Sequence, residues 1–129
     1  LKTRYVYNAQ IMRVIDGDSV EIIVDCGFGI AFRMKARLYS INAPEMNTDE
    51  GKAAKAALSK LLNETSLAEG MLLHTVKTHK QSSKNPIDAS GKYGRWLVEI
   101  IGKRKPAGTP VNLNQEMVAI GHAEDYLSV

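Results

Sequence analysis

The sequence predicts a mainly β domain with helices, of the α+β class, and two patterns carry that expectation. Short runs of β-forming residues recur between glycine- and aspartate-containing turn signals, and an amphipathic helical stretch separates the first group of runs from the second. At 129 residues the whole chain, 1–129, fits a single domain. A domain of this size buries roughly two-thirds of the surface its unfolded chain exposes, so it needs no covalent staple. The single cysteine, Cys26, excludes an internal disulfide and reads as a small apolar thiol without a special role.

Residues 10–15 (Gln-Ile-Met-Arg-Val-Ile) form the first expected strand and stop at Asp16-Gly17-Asp18. Residues 19–25 follow at once, with Val20, Ile22 and Val24 alternating onto one face, and the Asp-Gly link between the runs predicts a hairpin. Gly27-Phe28-Gly29 predicts the next turn. A long third strand, 30–41, then runs toward Pro44, which cannot donate to a ladder. Ala53, Ala54, Ala57, Leu58, Leu61 and Leu62 recur at helical steps, opposite Lys52, Lys55, Ser59 and Lys60. Asn47 with Glu50 has capping-box spacing, which puts the helix start near residue 48. After Gly70, residues 71–78 and 96–101 read as strands around a turn-rich surface loop at 80–92. A second helix fits 112–120 and ends at Gly121. Three strands, a helix, two strands and a C-terminal helix is the layout of an OB-type barrel, a five-stranded Greek key. Barrels of this kind serve binders and enzymes alike, so the site has to decide function.

The net charge of +3 is compatible with an anionic partner without identifying one. Its distribution says more, because Lys77, Lys80, Lys84, Lys92, Arg95, Lys103, Arg104 and Lys105 fall in the second half. No apolar run approaches the roughly 20 residues that span a bilayer. No membrane association is therefore expected; the expected compartment is the cytoplasm, or the exterior after removal of a signal.

Three clusters are polar where packing alone does not ask for it: Asp16-Gly17-Asp18-Ser19, Arg37 to Glu45, and Gly91-Lys92-Tyr93-Gly94-Arg95-Trp96. Taken singly, the first and third are ordinary hairpin turns, and the second is a surface arginine with a strand-ending proline. Arg37, Tyr39 and Ile41 are expected on one strand face, with Pro44 throwing Glu45 into a rigid bend. Taken together the clusters supply what phosphodiester hydrolysis uses. A hard divalent ion wants carboxylate and carbonyl oxygens. Guanidinium groups grip phosphate oxygens and stabilise transition-state charge. A glutamate can orient or deprotonate an attacking water. His74, His79 and His122 lack metal-ligand spacing. Trp96 is expected in the core, and Tyr5, Tyr7 and Tyr126 are candidate stacking surfaces for single strands.

On the D-G-D-S, R-L-Y-S-I-N-A-P-E, K-Y-G-R and A-I-G-H-A segments, in that order, the sequence resembles the staphylococcal nuclease (thermonuclease-like) family from about Ile11 to His122. The resemblance implies an OB-fold endonuclease that cleaves DNA and RNA without sequence specificity and leaves 3′-phosphates. It implies Ca2+ as the cofactor, with Mg2+ or Mn2+ as alternatives. The partner it implies is nucleic acid, as single-stranded DNA, RNA or frayed duplex, and the protein is expected to be a monomer. By position, Asp18 falls on the family's metal-binding aspartate, and Ala43 on a residue that offers its main-chain carbonyl to the metal. Arg37 and Arg95 fall on the phosphate-gripping arginines, Glu45 on the water-activating glutamate, and Lys92 and Tyr93 on substrate contacts. Asn42 stands where the family usually has a second metal-binding aspartate, so the metal site loses one negative charge. The segment after A-I-G-H-A is short, which implies a reduced final helix. The competing expectation is a catalytically inactive OB-fold module that binds nucleic acid or protein, motivated by Asn42. Retention of Arg37, Glu45 and Arg95 favours the enzyme.

Overall fold

The computed structural model describes residues 5–65, 71–76, 96–104 and 108–126, with the backbone alone over 71–76. The first strands are β1 (Tyr5–Asp16), β2 (Ser19–Asp25) and β3 (Ala31–Leu38), followed by β4 (Ile41–Asn42) and helix α1 (Asp49–Asn63). Strands β5 (Met71–Val76), β6 (Trp96–Arg104) and β7 (Thr109–Asn112), helix α2 (Leu113–Ala119) and strand β8 (Glu124–Asp125) complete the described elements. The result is a mainly β domain with two helices, as the sequence predicts.

The hydrogen-bonded order is β3-β2-β1-β5-β6-β7, and the sheet curls far enough for β3 to pair with β6 as well. That last pairing is parallel and joins Ala36 to Trp96, Arg37 to Leu97 and Leu38 to Val98. Right-handed strand twist, helped by irregular register after Ile11 and Val14 in β1, bends the sheet in this way. The expected hairpins form at Asp16-Gly17-Asp18 and Gly27-Phe28-Gly29. Val20, Ile22, Val24, Ala36, Leu38, Val98 and Ile100 fill the inside of the curl. Ala54, Leu58, Leu61 and Leu62 lie on one face of α1 and seal one side, and Leu113 and Met117 of α2 join the same core. Full burial of a leucine such as Leu58 contributes about 2–3 kcal/mol.

Several boundaries differ from expectation, each for a local reason. The third strand does not run unbroken to Ile41. It stops at Leu38, because Ser40 takes a left-handed backbone (φ 69°) and the Tyr39 N–H turns to the Val98 carbonyl. Arg37, Tyr39 and Ile41 therefore do not lie along one continuous strand face. The helix is capped by Thr48 rather than by Asn47: Thr48 Oγ1 accepts from the Gly51 N–H at 3.0 Å and donates to the Glu45 carbonyl at 2.6 Å. The first strand starts earlier, at Tyr5, and the strand from Trp96 runs on to Arg104. Cys26 is exposed, and Trp96 is half-buried rather than wholly enclosed. Residues 77–78 and the expected loop 80–92 lie outside the described residues. Among the described residues no helix is long and apolar enough to cross a membrane.

Candidate active site

The site is assembled from the β1–β2 turn, the end of β3 and the segment 41–43. Gly17 makes the close approach possible. A Cβ placed on it would lie 2.7 Å from the Cβ atoms of both Ala43 and Ala54, so any side chain there would push the turn off α1 and off the 41–43 segment. The flanking Asp16 accepts the Asp18 N–H on Oδ1 at 3.0 Å, which closes the turn and points Asp18 inward. The Asp18 carbonyl accepts the Leu38 N–H at 2.7 Å, locking the turn to the end of β3.

Asp18 is 8% exposed. Its Oδ2 accepts the Ala43 N–H at 2.9 Å and its Oδ1 accepts the Ser19 hydroxyl at 3.2 Å. Burial, with Asp16 adding to it, raises the Asp18 carboxyl from 3.8 to about 6, against the opposing pull of the Ala43 N–H and Arg37. The protein has thus placed a carboxylate where its charge is under-compensated, which is the electrostatic setting a cation would relieve.

Arg37 reaches the same spot. Its Nη2 donates to the Ile41 carbonyl at 3.2 Å and to Asn42 Oδ1 at 3.1 Å, and it lies 3.7 Å from Asp18 Oδ2. One nitrogen therefore marks the point on which three oxygens from two separate segments converge. The guanidinium also sits over the Tyr126 ring, 5.5 Å from its centroid. Tyr126 is held there by its N–H bond to the Ser40 carbonyl and by the pairing of β8 with β4. Among the described residues the hydrogen bonds of Arg37 all run through Nη2, and its side chain is 17% exposed.

Of the residues expected from sequence, Asp18, Arg37, Asn42 and Ala43 come together. Glu45 lies just beyond them on an exposed stretch, its carbonyl engaged by Thr48 while its carboxylate has no ion pair among the described residues. Arg95, Lys92 and Tyr93 lie outside the described residues. Two further residues contribute to the site. Asp16 is visible in the D-G-D spacing as a second carboxylate two residues from the first, where turn formation alone explains it. Tyr126 has no local pattern that ties it to Arg37.

Asp18, Asn42, the Ala43 main chain and, behind them, Asp16 are the groups able to hold a hard cation through oxygen. The described residues contain no cluster of three or more His, Cys, Asp or Glu side chains suited to a metal ion. The set is therefore mixed, with carboxylate, amide and main-chain oxygens. Its oxygens are donors for a cation, and the Arg37 guanidinium is the cationic group beside them. The chain matches no protein-family model and no curated protein sequence.

Proposed function

We propose that the curled sheet is an OB-type five-stranded barrel, and that this site belongs to a metal-dependent, non-sequence-specific nuclease of the staphylococcal-nuclease type. The observation that carries the reading is the convergence of Arg37 Nη2, Asp18 Oδ2 and Asn42 Oδ1, brought from separate chain segments around one point. The parallel β3–β6 pairing supports the barrel, because it closes β3-β2-β1-β5-β6 on itself and leaves β7 at the edge.

In this reading Asp18, Asn42 and the Ala43 carbonyl would hold Ca2+, or Mg2+ or Mn2+ in its place, and the ion would supply charge stabilisation to the phosphate. Arg37 offers its Nε and Nη1 edge to the phosphate oxygens, with Arg95 as the second cation. Glu45 accepts a proton from water as the water oxygen bonds to phosphorus. The P–O5′ bond breaks, and the leaving oxygen takes up a proton from solvent or an acid. Lys92 and Tyr93 contact the substrate strand.

The test is digestion of single-stranded DNA with Ca2+, Mg2+, Mn2+ or chelator. Cleavage that needs a divalent cation is expected. Binding without cleavage under every metal would instead establish the inactive nucleic-acid-binding module, the reading that Asn42 favours.

Asn42 gives a separate prediction. Asn42→Asp restores a negative charge beside Asp18 and is expected to tighten Ca2+ binding about tenfold or more, read by calorimetry. Equal or weaker affinity would remove Asn42 from the ligand set.

A further inference from the structure

The outer face of the β2–β3 hairpin carries a line of cations that begins at the site. Along β3, Ala36 and Leu38 point into the core at 0% exposure, so the alternate residues Arg33, Lys35 and Arg37 share the outward face. Successive members stand about 7 Å apart, a step comparable with one extended nucleotide. Arg13 joins them from β1. Glu21 of β2 lies between these cations and bridges two of them, accepting Arg13 Nε at 3.0 Å and Arg33 Nε at 3.4 Å. Both arginine side chains stay more than half exposed (58% and 61%) while being held in place. Three cations around one carboxylate leave this face net positive, and Lys35 has no ion pair among the described residues.

The hairpin tip at the far end has an unusual form. Phe28 is 100% exposed, and its backbone is left-handed (φ 56°) between two glycines of the same hand. A bulky residue in that conformation is strained, and its ring adds nothing to the core. The loop is nevertheless fixed by the Cys26 N–H to Ile30 carbonyl bond (2.9 Å), the Ile30 N–H to Gly27 carbonyl bond (2.8 Å) and the Gly27 N–H to Asp25 Oδ1 bond (2.9 Å). Ile30 and Phe32 are exposed beside it. From Arg37 to the start of the tip, β3 spans about 20 Å.

We propose that this face is a track for a single nucleic-acid strand running away from the site, with Lys35 and Arg33 holding successive phosphates and Phe28 stacking a base beyond them. Cations in file with interleaved or terminal aromatics are how proteins hold single strands without reading sequence. A lipid surface fits less well. The cations run along the strand instead of ringing the apolar tip. The inference takes from the proposed function only the point at which the strand begins.

The experiment measures fluorescence anisotropy in chelator with labelled oligothymidylates of about four and about twelve nucleotides, beside cleavage of both lengths with Ca2+. The proteins are the unaltered chain, the double variant Arg33→Gln with Lys35→Gln, and Phe28→Ala. Binding of the long oligonucleotide is expected to weaken about tenfold in the double variant, with a shallower salt dependence, and severalfold in Phe28→Ala; the short one binds all three alike. If nothing is cleaved but this length-dependent loss appears, the track stands and the hydrolytic reading falls. If the variants bind and cleave the long oligonucleotide like the unaltered chain, the track falls and hydrolysis stands. Co-sedimentation with phosphatidylcholine–phosphatidylserine vesicles that depends on Phe28, with oligonucleotide binding unchanged, would assign the tip to a lipid surface and overturn the track.

Discussion

Asp18→Asn is expected to stabilise the metal-free protein above pH 6 and, in the same stroke, to remove the proposed nuclease activity. The Asp18 carboxyl rises from 3.8 to about 6 on folding, chiefly through burial. A group whose folded value is raised contributes stability that is present below pH 3.8 and is lost as pH climbs through about 6. The difference corresponds to about 3 kcal/mol at most, so the ionised carboxylate is a standing cost to the fold at neutral pH. An asparagine has the same shape. Its oxygen can accept the Ala43 N–H and its amide can donate toward Asp16, and no charge has to be desolvated. Melting in chelator is expected to show the variant ahead by several degrees at pH 8 and level with the unaltered protein near pH 4. Saturating Ca2+ should reverse the order at pH 8, because binding stabilises only a chain that can hold the ion. A variant no more stable at pH 8, or one that still cleaves DNA with Ca2+, would end the assignment of Asp18 as a strained ligand. Functional sites commonly carry local instability of this kind.

What could be read in the sequence divides along physical lines. The β1–β2 and β2–β3 hairpins, the buried face of α1 and the second helix rest on short-range patterns: Asp-Gly turns, alternation at Val20, Ile22 and Val24, and helical spacing from Ala54 to Leu62. Each is decided within a few residues. The break at Ser40 was not legible, since a serine with positive φ carries no mark in the sequence, and it accompanies the bond of the Tyr39 N–H to the distant Val98 carbonyl of β6. The cap was misplaced by one residue because Asn47 and Thr48 are both good caps, and the Glu45 carbonyl chose between them. At the site, Asp18 and Arg37 were legible because their clusters, taken together, supply the groups that phosphate chemistry uses, and Asn42 and Ala43 only through the family resemblance. Their actual partners were not. The contact of Arg37 with Tyr126 and the hold of Asn114 on Tyr39 both depend on how distant segments pack.

Asn114 is the clearest such case. It is 2% exposed on α2 and uses all of its side chain: Oδ1 accepts the Ile100 N–H at 3.2 Å, and Nδ2 donates to the Tyr39 carbonyl at 3.0 Å and to the Val98 carbonyl at 2.9 Å. It thereby ties the helix to β6 and to the turn that carries the chain from Arg37 to Asn42. Val98 keeps a second partner in the Tyr39 N–H, but removal of the amide strips the bonds given by Asn114 to the Ile100 N–H and the Tyr39 carbonyl. A buried backbone group left unpaired costs about 1–3 kcal/mol, so Asn114→Ala is expected to lose about 4 kcal/mol once the small cavity is included. That is a large share of the 5–15 kcal/mol by which domains are usually stable. Urea unfolding should show the midpoint fall with an unchanged slope. Asn114→Asp separates hydrogen bonding from volume. It keeps the shape but turns a donor into an acceptor opposite two carbonyls, so it should be at least as damaging at pH 7 and should recover in acid, where the carboxyl regains one donor. A loss below about 1 kcal/mol in either variant would mean that water replaces the amide, and that the Tyr39 turn is held by the strands alone.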